Sequence, residues 1–158
     1  MVVSTTVVGF KVKRILVDNG NTVEVLSWDT YQKIGLNKQT LSKASPLYGF
    51  ANHPIEVKGS ITLLVTLRDD KQTTTKFDQF QMVDHPMVYN VIFGMPIIRM
   101  ENMVVTIFCI KIKFLTKIGV GFLRPDQRNT MQCHMLSVKQ TRELVIEEQR
   151  MQRPKLAS

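Results

Sequence analysis

Short β-branched runs separated by turn residues occupy the first 123 residues of the chain. Gly9 separates the first two runs, and the cluster Asp18-Asn19-Gly20-Asn21 precedes the third. Runs of this kind, bounded by Gly, Asn and Asp, predict strands. The predicted strands are residues 5–8, 12–17, 22–26, 47–50, 55–58, 61–67, 76–83, 88–93, 104–107 and 111–115. The pattern therefore predicts an all-β domain over residues 1–123.

Two short helices and a polar tail interrupt or follow these strands. Apolar residues at three-residue spacing predict a helix over 28–34, with Ser27 or Asp29 as its cap and Gly35 at its end. Pro96 suits the start of a second helix over 97–102. Residues 111–115 alternate lysine with apolar side chains, which favours an edge strand. Residues 124–158 are predicted to form a basic, partly helical linker or tail, with helical character over 137–151.

Composition limits the classes of protein that fit. The chain has 158 residues, of which 44% are apolar and 22% charged, which is enough for one domain with a real core. The longest apolar stretch, residues 103–115, contains two lysines and is too short for a membrane helix. No basic segment precedes the apolar residues near the amino terminus, so no secretory signal is expected. We therefore expect an intracellular protein without a membrane span.

The net charge of +8 raises the question of a nucleic-acid partner. The basic residues are spread along the chain without a block of five like charges, so at most non-specific nucleic-acid binding is expected. The three histidines and two cysteines show no ligand spacing typical of a metal site. Neither a metal nor another cofactor is expected.

Three features in chain order point to chemistry. The apolar run 15–17 leads into Asp18, Asn19 and Gly20; a glycine-bracketed hairpin runs from Gly49 to Gly59; and residues 91–93 form a second apolar run that ends in Gly94. For a carboxyl group at the end of a buried strand, burial disfavours the ionised form and hydrogen bonds from turn N–H groups favour it. The surroundings can therefore shift the pKa of the group in either direction. Taken alone, an aspartate followed by a glycine turn is more often structural than catalytic.

Longer motifs accompany these features and carry a resemblance. They are V-D-N-G-N-T at 17–22, P-L-Y-G-F at 46–50, K-G-S-I-T-L-L-V-T at 58–66, V-Y-N-V-I-F-G-M-P at 88–96, I-K-I-K-F-L-T-K-I-G-V-G at 110–121 and P-D-Q at 125–127. In this order the motifs resemble the protease region of plant Ty3/gypsy retrotransposon polyproteins, which are retropepsin-like aspartic proteases. The resemblance covers roughly residues 8–138. It implies an acid-protease half-barrel with a flap hairpin and one or two short helices.

The resemblance also implies roles for individual residues. Asp18 corresponds to the catalytic aspartate, and Asn19 and Gly20 complete its loop. Gly49 and Phe50, with the hairpin to Gly59, correspond to the flap that closes over an extended polypeptide substrate. Ile92, Phe93 and Gly94 correspond to the segment that packs beneath the active-site loop.

The number of aspartate triplets implies an assembly. The chain has one such triplet, and this chemistry needs two carboxylates that share one proton. The resemblance therefore implies a homodimer with one catalytic aspartate per chain, in the cytoplasm or within a retrotransposon particle. Asn19 stands where retropepsins usually carry Ser or Thr, and Met95 stands where an arginine usually follows the glycine. These departures leave open an inactive remnant that serves as a dimerisation or protein-binding module.

Overall fold

Six strands of the chain close into a barrel in the computed structural model, which describes residues 1–36, 41–42, 47–48, 54–106 and 111–152. In chain order the elements are β1 (Val2–Val7), β2 (Phe10–Val17), β3 (Glu24–Ser27), α1 (Trp28–Ile34), β4 (Leu47–Tyr48), β5 (Pro54–Ile55), β6 (Val57–Arg68), β7 (Thr73–Val83), β8 (Val91–Phe93), α2 (Met95–Met100), β9 (Val104–Thr106), β10 (Lys111–Leu115), β11 (Val120–Leu123) and α3 (Gln127–Gln152). The barrel order is β1-β2-β8-β3-β7-β6. The prediction of an all-β domain with short helices is confirmed.

The helix α1 begins and ends where its sequence predicts. Ser27 Oγ accepts a hydrogen bond from the Thr30 N–H at 3.1 Å, which makes Ser27 the N-cap. Gly35 ends the helix in the left-handed conformation at φ 80°, which glycine adopts without a side-chain clash. Asp29, the other predicted cap, instead forms an exposed ion pair with Lys33.

Two predicted element boundaries, one of a strand and one of a helix, differ from those in the structure. The strands predicted over 55–58 and 61–67 are not divided at Gly59, because β6 runs from Val57 to Arg68 and pairs along its length with β7. Ile55 belongs instead to the short strand β5. The pairing of β6 with β7 shifts register between Val57 and Gly59, so the strand continues through the glycine. The helix predicted over 97–102 begins earlier, at Met95, with Pro96 in its first turn.

A three-stranded sheet of order β11-β10-β9 lies beside the barrel. In β10, Ile112 and Phe114 are buried and Lys113 is exposed, as the alternation predicts. The prediction of an edge strand is wrong, because β10 pairs on both sides and lies at the centre. Alternation reports which side chains face the core, whereas the number of neighbouring strands depends on distant segments.

The helix α3 begins ten residues before the helical segment predicted over 137–151. Asp126 Oδ1 accepts the Asn129 N–H at 3.1 Å at its start, and Cys133 packs against Val2 and Val88. The first turns of α3 therefore lie on the barrel, while its later residues are exposed. Neither α3 nor any other helix in the described part of the chain is long and apolar enough to cross a membrane.

Most of the barrel interior is apolar, but one part of it carries charge. Inward-facing residues of β7 include Asp78, whose side chain lies near the Glu24 side chain on β3. Glu24 is 1% exposed, Asp78 is 8% exposed, and Glu101, directly after α2, is fully buried. Lys76 Nζ lies 3.6 Å from Glu101 Oε2. Burial and the neighbouring carboxylate of Glu24 raise the pKa of Asp78 from 3.8 to about 7.

The raised pKa of Asp78 makes the stability of the fold depend on pH. The folded chain binds this proton more tightly than the unfolded chain, so the free energy of unfolding falls as pH rises from about 4 to about 7. Asp78→Asn removes the titration, so we expect the variant to gain stability relative to wild type across this pH range. Urea unfolding at fixed protein concentration and several pH values measures the difference.

The matched control is Asp70→Asn, which replaces an exposed carboxylate in the turn between β6 and β7. Its stability relative to wild type should change little with pH. If the difference in the free energy of unfolding between Asp78→Asn and wild type did not change with pH, the raised pKa of Asp78 would be contradicted.

Candidate active site

The aspartate Asp18 lies directly after β2, at the end where β2 pairs in parallel with β8. The register places Val17 opposite Phe93, so Asp18 and Gly94 leave the sheet side by side. Parallel strands present their carboxyl ends at the same edge, which brings together two segments separated by more than seventy residues. The first and third predicted features are therefore neighbours in space.

Hydrogen bonds fix the loop around Asp18. The Asp18 N–H donates to the Phe93 carbonyl oxygen at 2.9 Å, which extends the ladder by one residue. Asp18 Oδ1 accepts the Gly20 N–H at 2.9 Å, and the Asp18 carbonyl oxygen accepts the Asn21 N–H at 3.2 Å. Asp18 is half-buried, whereas Asn19 and Gly20 are exposed. The loop therefore presents one held carboxylate at the surface of the chain.

The segment Ile92-Phe93-Gly94 lies against this loop. Phe93 and Gly94 are buried and Ile92 is half-buried between β2 and β3. A Cβ added at Gly94 would lie 2.5 Å from the Val23 carbonyl oxygen and 2.6 Å from that of Asn21. Only glycine allows this approach, because both neighbouring atoms belong to the backbone. The Met95 N–H then donates to the Asn21 carbonyl oxygen at 2.8 Å, which joins the start of α2 to the loop.

The predicted flap is only partly within the described residues. Its two arms are β4 and β5, which pair antiparallel with Leu47 opposite Ile55. Gly49 and Phe50 lie outside the described residues, so their assignment as flap residues stays a prediction.

Gly59 lies in β6, beyond the hairpin arms, with φ +154°. A Cβ there would lie 2.8 Å from the Ser42 carbonyl oxygen, since Ser42 pairs with Ser60 across the strand. Gly59 therefore allows the backbone at Ser42 to lie close to β6.

Four charged residues near the site did not emerge as candidates from the sequence. Glu24 Oε1 accepts the Ile97 N–H of α2 at 2.8 Å, and Lys76 Nζ donates to the Met100 carbonyl oxygen at the end of α2. Glu101 directly follows α2, and Asp78 lies near the Glu24 side chain. A signal was present, because Glu24 is the one charged residue in an apolar run. Lys76 and Asp78 also lie four and two residues before the buried Phe80, so all three are on the same face of the strand β7.

The described residues hold no group of three His, Cys, Asp or Glu side chains that could bind a metal ion. At the Asp18 loop the structure presents a carboxylate held by backbone hydrogen bonds. A carboxylate is one of the side-chain groups that can transfer protons in general acid–base catalysis.

Comparisons with known proteins bear on the fold. No protein-family model and no curated protein match the chain. Among solved structures, the retroviral protease-like domain of Ddi1 from Leishmania major aligns with a TM-score of 0.55 at 16% identity, covering 80% of this chain and 96% of that one. A retropepsin-like aspartic protease from Rickettsia conorii aligns with a TM-score of 0.43 at 14% identity, covering 78% and 88%. With its closed six-stranded barrel, the chain has the retropepsin-like fold.

Proposed function

We propose that the chain is an aspartic endopeptidase of the type that processes retrotransposon polyproteins. It acts as a homodimer with one catalytic aspartate, Asp18, from each chain. Its substrate is an extended polypeptide, it needs no metal or other cofactor, and nucleic acid is bound at most non-specifically. It works inside the cell, in the cytoplasm or within a retrotransposon particle.

One observation carries this proposal: the carboxylate of Asp18 is held in an exposed loop on a barrel of the retropepsin-like fold. The Asp18 N–H bonds to Phe93, and the Asp18 side chain accepts the Gly20 N–H. Exposure of Asn19 and Gly20 leaves the loop free to meet the same loop of a second chain. A two-fold axis through this point brings two identical carboxylates together.

The proposed reaction uses the two Asp18 carboxyls as an acid and a base. Two adjacent negative charges repel each other, so the pair retains one proton under mildly acidic conditions. The ionised carboxylate takes a proton from a bound water, which attacks the peptide carbonyl carbon, while the other carboxyl donates its proton to the carbonyl oxygen. In the second step, the carboxyl that took the water's proton gives it to the amide nitrogen, and the other carboxylate takes a proton from a hydroxyl of the tetrahedral intermediate as the C–N bond breaks. The acid and amine products leave, and the pair again holds one proton.

A second candidate function belongs to a different class. Asn19 and Met95 depart from the residues expected for the resembled family, and both lie at the loop or directly beneath it. A barrel with these changes could retain its dimer surface without cleaving peptides. This reading predicts a folded, dimeric and inactive chain, whereas the first reading predicts cleavage that depends on Asp18.

Replacement of the candidate catalytic residue gives the first test of activity. We expect Asp18→Asn to lower cleavage of an apolar peptide mixture near pH 5 by at least about 10²-fold, because acid–base catalysis contributes about 10²–10⁴. Initial rates measured by mass spectrometry, with circular dichroism as a check of folding, give the result. The exposed variant Asp70→Asn should retain wild-type rates, and equal rates for wild type and Asp18→Asn would contradict the proposal.

Mixing of chains tests whether each active site needs two copies of Asp18. Random exchange of equal amounts of wild-type and Asp18→Asn chains should leave about half the activity of the wild-type chains alone, because mixed dimers carry one carboxylate. Activity per chain should also rise with protein concentration. Activity that is unaffected by added variant, at concentrations where sedimentation shows dimers, would contradict a shared site.

A further inference from the structure

The helix α2 is held at both ends by charged side chains from the barrel strands. At its start the Ile97 N–H donates to Glu24 Oε1 at 2.8 Å, and at its end Lys76 Nζ donates to the Met100 carbonyl oxygen at 2.7 Å. A carboxylate at the start of a helix and an ammonium group at its end oppose the partial charges of the helix backbone. The two side chains therefore stabilise this short helix in one position.

The position of α2 determines the position of the Asp18 loop. The Met95 N–H donates to the Asn21 carbonyl oxygen at 2.8 Å, and Gly94 contacts the backbone of both Asn21 and Val23. Asn21 in turn donates its N–H to the Asp18 carbonyl oxygen. A chain of contacts thus runs from the Glu24 side chain, through the backbone of the first turn of α2, to the loop that carries Asp18.

The groups around Glu24 show that its location is costly for stability. Asp78 on β7 and Glu101 after α2 are also buried carboxyls, and Lys76 Nζ lies 3.6 Å from Glu101 Oε2. Within the described part of the chain, Asp78 Oδ2 and both carboxyl oxygens of Glu101 have no hydrogen-bond partner. Apolar side chains in such places are often as stabilising as buried charges or more so. A role in placing α2 explains why a carboxylate at position 24 is useful despite this cost.

We propose that Glu24 and Lys76 are positioning residues of the candidate active site, which fix α2 and through it the Asp18 loop. The effect on peptide cleavage rests on the proposed function, whereas the effect on the loop does not. A purely structural role would weaken the whole barrel. A positioning role changes the loop and α2 more than the barrel.

Amide hydrogen exchange measured by NMR separates these two roles residue by residue. In Glu24→Leu we expect exchange at Ile97, Met95 and Asp18 to accelerate about tenfold or more relative to amides of the β6–β7 hairpin, because a hydrogen bond to a charged group is lost. Glu24→Gln should restore most of the protection, since its amide oxygen can accept the Ile97 N–H. Lys76→Met, which keeps the apolar stem, should accelerate exchange in α2 and at the loop, and it decides the matter if Glu24→Leu does not fold.

The matched control is Asp78→Asn, which removes a buried charge beside Glu24 but no hydrogen bond to α2. Its exchange rates at Ile97 and Asp18, relative to amides of the β6–β7 hairpin, should stay near those of wild type. Uniform acceleration throughout the barrel, or none at the loop, in both Glu24→Leu and Lys76→Met would overturn the positioning role.

Parallel peptide-cleavage assays distinguish failure of this inference from failure of the proposed function. A wild-type chain that cleaves no peptide, but whose loop exchange depends on Glu24, overturns the protease and supports the positioning role. An active chain whose loop exchange is unaffected by both Glu24→Leu and Lys76→Met overturns the positioning role and supports the protease.

Discussion

The parallel pairing of β2 with β8 is the constraint on which the candidate site depends. It places Asp18 next to Gly94 at one edge of the barrel, although the two residues are far apart in sequence. The hydrogen bond from the Asp18 N–H to Phe93 continues this pairing into the loop. A change in the register of β8 would move Gly94 and the start of α2 away from Asn21, so the loop and the helix form one unit.

Charged side chains of the barrel strands also hold the helix α2 of this unit. Glu24 and Lys76 hold α2, and the nearby carboxyls of Asp78 and Glu101 are desolvated, which raises the pKa of each. These carboxyls favour the folded chain more at mildly acidic pH than at neutral pH. A dyad that shares one proton also operates at mildly acidic pH, so the stability of the fold and the proposed chemistry favour the same conditions.

Local sequence predicts most of the fold but only part of the site. The ends of α1 follow from Ser27 and Gly35, because capping depends on neighbouring residues. The central place of β10 and the continuity of β6 across Gly59 depend on strands far away in sequence, so alternation could not reveal them. The motif around Asp18 was visible in the sequence. The charge of Glu24 within an apolar run was also visible, but its hydrogen bond to α2 was not, because that contact depends on the packing of α2 against β3.

Disulfide cross-linking at position 18 reports whether the Asp18 loops of two chains meet. Asp18→Cys chains under mild oxidation should form cross-linked dimers much faster than chains with the exposed-turn variant Asp70→Cys, because a shared dyad places the two side chains in contact. Wild type oxidised in parallel corrects for its own two cysteines. We expect rapid dimer formation that is specific to position 18. Cross-linking of Asp18→Cys no faster than that of Asp70→Cys would show that the two loops do not meet.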